Sequence, residues 1–193
     1  RHCRLDTFAR FLDALPATRH AMDYDAQRLT TGDLAVASRR VAAGLRGLGL
    51  EPGDRVALWL PNIPAWLECF FACARIGAIA VSVNTRFRSH EVEDILGRAG
   101  CRALILWPGF KAIDFRGILD AVQPAALAAL EHVIVYTESQ DDAPFTLPGR
   151  TVTPYASLAM TEEDSAAPAP ASARCVIFTT SGTTKAPKFV CHA

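Results

Sequence analysis

Residues 179–188 read Thr-Thr-Ser-Gly-Thr-Thr-Lys-Ala-Pro-Lys and follow directly on the apolar run Cys175-Val176-Ile177-Phe178. Backbone N–H groups around a glycine can form an anion-binding concavity, hydroxyls can donate to phosphate oxygens, and a lysine supplies a compact positive charge. Together these residue types suit a polyphosphate. Lys111, Lys185 and Lys188 are the only lysines among the chain's 20 basic residues, so two of three stand within four positions of one another. A solvated Ser/Thr/Gly turn would account for Ser-Gly-Thr-Thr alone. The paired lysines and the Pro187-Lys188 ending weigh against it.

A Walker A loop needs a second glycine directly before a Lys-Ser/Thr pair that opens a helix. Here there is one glycine, and Lys188 is followed by the β-prone Phe189-Val190-Cys191-His192. The spacing therefore predicts a strand over about 174–179, a weakly ordered loop over Ser181 to Lys188, and a second strand.

The elements that must carry this loop alternate along the chain. Thr30 with Asp33 forms a capping pattern, after which Leu34, Ala37, Val41, Leu45 and Leu48 recur at helical spacing. Residues 55–61 read as a buried strand stopped by Pro61, 63–76 as a helix, and Ala78–Val83 as a strand. Ser89 is expected to cap a helix reaching about Arg98, Cys101–Leu106 to form a strand, 116–130 a helix, and His132–Thr137 a strand. Such repeats imply an α/β fold, a largely parallel sheet flanked by helices. Residues 138–173 have turn and linker composition, with the Ala/Pro-rich stretch Asp164–Ala173 at their end. The expected division is an α/β region over 1–160, a linker over 161–173, and a strand, loop and strand over 174–193.

Composition excludes several functions. The 20 basic and 20 acidic residues balance, so no overall field favours nucleic acid or an anionic membrane. The longest apolar stretch, Leu67 to Val83, is interrupted by Glu68, Arg75 and Gly77, and neither a membrane span nor a signal peptide is expected. Six scattered cysteines lack metal-ligand spacing, and Cys69 and Cys73 read as reduced core residues of a cytoplasmic protein. Trp59, Trp66, Phe70 and Phe71 are expected to fill the core. Arg86, Arg88 and His90 are expected in a surface turn and cap, not an acid/base site.

Phe178 to Val190 resembles the phosphate loop of the adenylate-forming enzymes, the superfamily of acyl- and aryl-CoA synthetases, peptide-synthetase adenylation domains and firefly luciferase. Thr180, Ser181, Gly182, Thr183, Thr184, Pro187 and Lys188 match its pattern, whereas Lys185 and Phe189 stand where glycine is usual. Residues 29–106 are similar, in order and spacing, to the N-terminal portion of the same enzymes. The resemblance implies a two-step chemistry: a carboxylate attacks the α-phosphorus of ATP to give an acyl-adenylate and pyrophosphate, and the thiol of coenzyme A then displaces AMP. It assigns ATP phosphate contacts to Thr180, Ser181, Gly182, Thr183, Thr184 and Lys188, with Mg²⁺ as a further cofactor; for Lys185 a solvated side chain is favoured over an extra phosphate contact. His192 receives no role. The segments for adenine, ribose, Mg²⁺ and a catalytic lysine come later in that superfamily, so no catalytic or metal residue is expected within 193 residues and the piece alone is expected to be inactive. The favoured parent is an acyl- or aryl-CoA synthetase, because residues 87–106 and 108–119 resemble fatty-acyl or cyclic-acid CoA ligases more than peptide-synthetase domains. Peptide-synthetase adenylation and a non-catalytic nucleotide- or partner-binding module are the alternatives.

Overall fold

In the computed structural model, residues 7–139, 144–180 and 188–192 are described. The chain opens with helix α1 (Phe8–Ala14) and a hairpin of β1 (His20–Tyr24) and β2 (Gln27–Thr30), none of which the sequence reading had distinguished. Helix α2 (Thr31–Gly47) then leads into β3 (Arg55–Trp59), α3 (Pro64–Ile76), β4 (Ile79–Ser82), α4 (Ser89–Ala99) and β5 (Ala103–Leu106). Next come α5 (Phe115–Asp120), a 3-10 turn (Pro124–Leu127), β6 (His132–Val135), β7 (Thr151–Pro154), α6 (Tyr155–Ala159), β8 (Val176–Thr180) and β9 (Lys188–His192).

Seven strands form one sheet in the order β7-β6-β5-β3-β4-β8-β9, parallel throughout except for the antiparallel β8–β9 pair. Strand alternation divides the core into two layers. Val56 and Leu58 of β3 face the layer built with α2, α3 and α6, while Ala57 and Trp59 face the layer built with α4, α5 and the 3-10 turn. Covering both faces is what makes these strands read as unbroken apolar runs. Cys69 and Cys73 lie fully buried in the first layer as free thiols, as expected.

Helix α2 starts where its sequence says it should. The Thr30 hydroxyl accepts from the Asp33 amide at 3.2 Å, and an Asp33 carboxylate oxygen accepts from the Thr30 amide at 2.9 Å. Thr30→Ala removes one half of this reciprocal cap and is expected to cost about 1 kcal/mol, a melting-temperature drop of about 2–4 °C by calorimetry.

Three expectations need correction. Helix α4 is capped at Arg88, whose amide donates to Glu91 at 3.0 Å, so Ser89 is its first helical residue and not its cap. The expected helix over 116–130 is broken, because Gln123 adopts an extended backbone (ψ 135°) ahead of Pro124, as a residue preceding proline prefers. Residues 138–173 also contain regular structure and core: β7 adds to the sheet edge, and Leu147, Tyr155 and Leu158 are buried.

Ionic ties hold α1, α2 and α3 together beneath the first layer. The Arg75 guanidinium, only 5% exposed, donates to both Asp13 oxygens at 2.7 and 2.9 Å and to the Ser38 hydroxyl at 2.9 Å. Arg39 links Asp13 to Glu163, and Arg46 pairs with Asp164. The Ala169 amide donates to the Arg75 carbonyl at 3.1 Å. Gly77 ends α3 with φ of +77°, and a Cβ there would lie 3.1 Å from both Ala169 and Pro52 side chains.

Candidate functional site

In open α/β sheets the carboxyl ends of the strands are left free by the helices, and ligands gather where the strand order reverses. Here β3 is followed by β4 on one side and, after α4, by β5 on the other. A cavity of about 850 Å³ opens at that place. Its walls are Leu60 and Ile63 after β3, Val83 to Arg86 and Arg88 after β4, Phe110 and Lys111 after β5, and Phe178 of β8. Volume and apolar lining suit a small organic ligand.

The polar side of the cavity is basic. Arg86, Arg88 and Lys111 line it together with Asn84 and Thr85, and no acidic residue does among the described residues. The turn after β4 is held rigidly from within. The indole of buried Trp59 donates to the Asn84 carbonyl at 3.2 Å, and the Asn84 side chain accepts from the Arg86 amide at 2.9 Å. Arg88 spends its guanidinium on the turn itself, donating to the carbonyls of Arg86 and Phe87 at 3.1 Å each. Lys111 adopts φ of +54° beside the Phe110 ring, its ammonium 5.2 Å from the ring centre. Arg86 and Arg88 thus stand in a turn, as expected, but one that lines the cavity. Nothing local in Asn-Thr-Arg-Phe-Arg tells that β4 ends against β3 and β8.

Trp59 and Phe70 are core residues, as expected. Trp66 is half-buried, stacks on Phe70 at 5.7 Å, and also faces the cavity. Beyond it an aromatic row continues over the ends of β5, β6 and β7, with Trp107, Tyr136 and Tyr155 at ring separations of 5.3 and 5.5 Å. Glu68 of α3 accepts from the Tyr155 hydroxyl; burial pushes its carboxyl up, and that hydrogen bond pulls it partly back. Tyr24 of β1 donates to Glu138 at 2.6 Å, tying the N-terminal hairpin to the segment after β6. Buried thiols are unreactive here: desolvation pushes Cys101 up to about 12 and Cys175 up to about 11.

Strands β8 and β9 flank residues 181–187, and β8 reaches this cavity through Phe178. Thr180 ends β8 and Lys188 begins β9, and the two pair in register. The strands on either side agree with a strand–loop–strand arrangement. Ser181, Gly182, Thr183, Thr184 and Lys185 lie outside the described residues, as does the loop whose order the sequence reading addressed. Among the described residues no group of three or more His, Cys, Asp and Glu stands together to hold a metal, and no helix is long and apolar enough to cross a membrane.

An open, mainly parallel sheet with a basic cavity at the carboxyl ends of its strands defines an α/β protein with a ligand-sized site at the switch in strand order. The chain belongs to the AMP-binding enzyme family, whose profile matches residues 8–193. It is 38% identical over 158 residues to a (7a-methyl-1,5-dioxo-octahydro-1H-inden-4-yl)propanoyl:CoA ligase of Mycobacterium tuberculosis, covering 82% of this chain and 30% of that protein. It is 37% identical over 129 residues to the mitochondrial medium-chain acyl-CoA ligase ACSF2 of Pongo abelii, covering 63% and 21% respectively. Among solved structures, the anthranilate CoA ligase AuaEII in complex with anthranoyl-AMP superposes with a TM-score of 0.80 at 26% identity, over 97% of this chain and 34% of that one. The chain thus spans about a third or less of the relatives it matches.

Proposed function

We propose that these residues are the N-terminal part of an AMP-forming acyl- or aryl-CoA ligase. In the first step a carboxylate oxygen bonds to the α-phosphorus of ATP as the bond to pyrophosphate breaks. In the second, the sulfur of coenzyme A attacks the acyl carbonyl and AMP leaves. The observation that carries this reading is the placement of the β8–β9 hairpin: Phe178 forms one wall of the cavity, and Thr180 pairs with Lys188 at the root of the hydroxyl-rich loop. A loop rooted there can reach a polyphosphate while the cavity holds the anion's partner.

Charge builds on pyrophosphate as it leaves, and donors fixed in advance stabilise it without reorganising. Thr180, Ser181, Thr183 and Thr184 supply hydroxyls, Gly182 supplies close backbone approach, and Lys188 supplies the charge. Arg86 and Lys111 give the cavity a positive field that favours anionic substrates. Among the described residues no group of three or more His, Cys, Asp and Glu stands together to hold Mg²⁺. The acid and coenzyme A remain substrates of the whole enzyme.

The test is carboxylate-dependent ATP–pyrophosphate exchange by the full-length protein across fatty and aromatic acids, followed by thioester formation on adding coenzyme A. Exchange that requires an acid supports the reading. Its absence with every acid, or equal exchange without one, tells against it. The 193 residues assayed alone are expected to release no pyrophosphate, because the resemblance places the adenine, ribose and Mg²⁺ contacts in later segments, and the carboxylate and the α-phosphorus must both be held to meet in line.

A further inference from the structure

The β8–β9 hairpin is held to the rest of the sheet by very little main chain. Strand β8 pairs with β4 only at Ala80–Val176 and Val81–Ile177. The rungs Phe178–Val190, Thr179–Phe189 and Thr180–Lys188 continue beyond that ladder. Strand β9 stands last in the sheet order, with β8 as its one sheet neighbour among the described residues. Main-chain bonds therefore fix the two strands to each other but do not fix their far end to the body.

Side chains do that instead. The Phe189 ring packs against the layer that α4 builds, and the Arg98 guanidinium of α4 lies over it, 4.0 Å from the ring centre. Arg98 is itself held by Asp94, one turn back, at 2.6 Å. A guanidinium resting on an aromatic face is attracted by the ring quadrupole, and an ion pair behind it fixes its direction. Phe189 adjoins Lys188, and across the hairpin the same rungs carry Phe178 in the cavity wall.

We propose that Asp94, Arg98 and Phe189 form a clamp that fixes the root of the phosphate loop against α4, making Arg98 and Phe189 positioning residues for ATP. The proposal rests on the reading of residues 180–188 as a phosphate loop. Neither residue touches the reacting atoms; each acts by setting where Thr180 and Lys188 leave the sheet. A donor aimed at developing charge loses effect steeply when it is displaced by about 1 Å.

The experiment uses the full-length enzyme with Arg98→Met, Phe189→Leu and Arg98→Lys. Arg98→Met and Phe189→Leu are expected to lower kcat/KM for ATP in pyrophosphate exchange on the order of threefold to tenfold. Amides of residues 178–180 and 188–190 should exchange hydrogen faster by a similar factor while the melting temperature stays within about 2 °C of wild type. Arg98→Lys keeps a cation over the ring and should recover most of both losses. If neither kinetics nor protection changes in Arg98→Met and Phe189→Leu, the clamp is overturned. Lost protection with unchanged kinetics overturns the positioning role, and lost kinetics with unchanged protection overturns the clamp as its cause. A wild-type enzyme without exchange activity, or a neutral Lys188→Ala, counts instead against the phosphate-loop reading, and the protection measurements then judge the clamp alone.

Discussion

Lys188→Ala in the full-length enzyme is expected to lower carboxylate-dependent ATP–pyrophosphate exchange roughly a hundredfold or more, with the fold intact. The residue begins β9 opposite Thr180, so its backbone is set by a ladder of five rungs and does not depend on its own side chain. Truncation therefore removes an ammonium and leaves the strand in place. If that charge faces the leaving pyrophosphate, the loss falls on the transition state and lowers kcat together with kcat/KM. Lys185→Ala is the control, with a smaller effect expected. Equal losses in the two variants, or none at Lys188, would overturn the roles given to them.

Asp13→Ala is expected to destabilise the protein by about 3 kcal/mol. Removing one partner of a buried pair costs about 3–5 kcal/mol because a charge is left uncompensated. The lower end applies here, since the Asp13 side chain keeps 36% exposure and Ser38 continues to accept from Arg75. The hydrogen bonds from Arg75, reinforced by the charges of Arg75 and Arg39, hold the Asp13 carboxyl below its usual range against the opposing effect of burial. A depressed carboxyl contributes stability that is present above its unfolded value, about pH 4, and lost as the pH falls through the folded one. Denaturation of wild type and variant should thus differ at pH 7 and converge as the pH falls through the depressed folded value of Asp13. A difference that persists unchanged into acid would show that packing, not charge, holds α1.

Much of this fold could be read from short-range signals. Thr30 with Asp33, Pro64 at the start of α3, Gly77 at its end, and the apolar runs of β3, β4 and β5 each declare themselves within a few residues. Failures came where a neighbour far along the chain decides. Thr151–Pro154 is a strand because β6 offers it an edge, and Tyr155 and Leu158 are core because α2 and α3 lie above them; neither fact is visible in a segment rich in Pro, Ala and Asp. The 3-10 turn was missed for a local reason, the extended residue before Pro124.

The candidate site divides in the same way. Hydroxyls, glycine and lysines of the loop stand together in the sequence, so their chemistry was legible. The cavity is assembled from turns after three different strands, and its basic side combines Arg86 with Lys111 across β3. Arg98 over Phe189 is likewise a meeting of α4 with β9 that no window of sequence contains.

The late entry of β8 into the sheet sets an order of events on the ribosome. Ala80 of β4 waits for Val176, and between them the chain makes β5, β6 and β7, all on the far side of β3. Those strands can close on one another first, leaving the outer edge of Ile79–Ser82 with its main-chain donors and acceptors open. At bacterial or eukaryotic synthesis rates that interval lasts roughly five to twenty seconds, long against the microseconds to milliseconds in which strands find partners. A nascent chain thus carries an apolar, unprotected edge for as long as residues 83–175 take to be made, and neighbouring chains on a polysome offer the same edge. Slowing elongation between Leu106 and Val176 should raise aggregation of newly made protein, while slowing it after β9 should not.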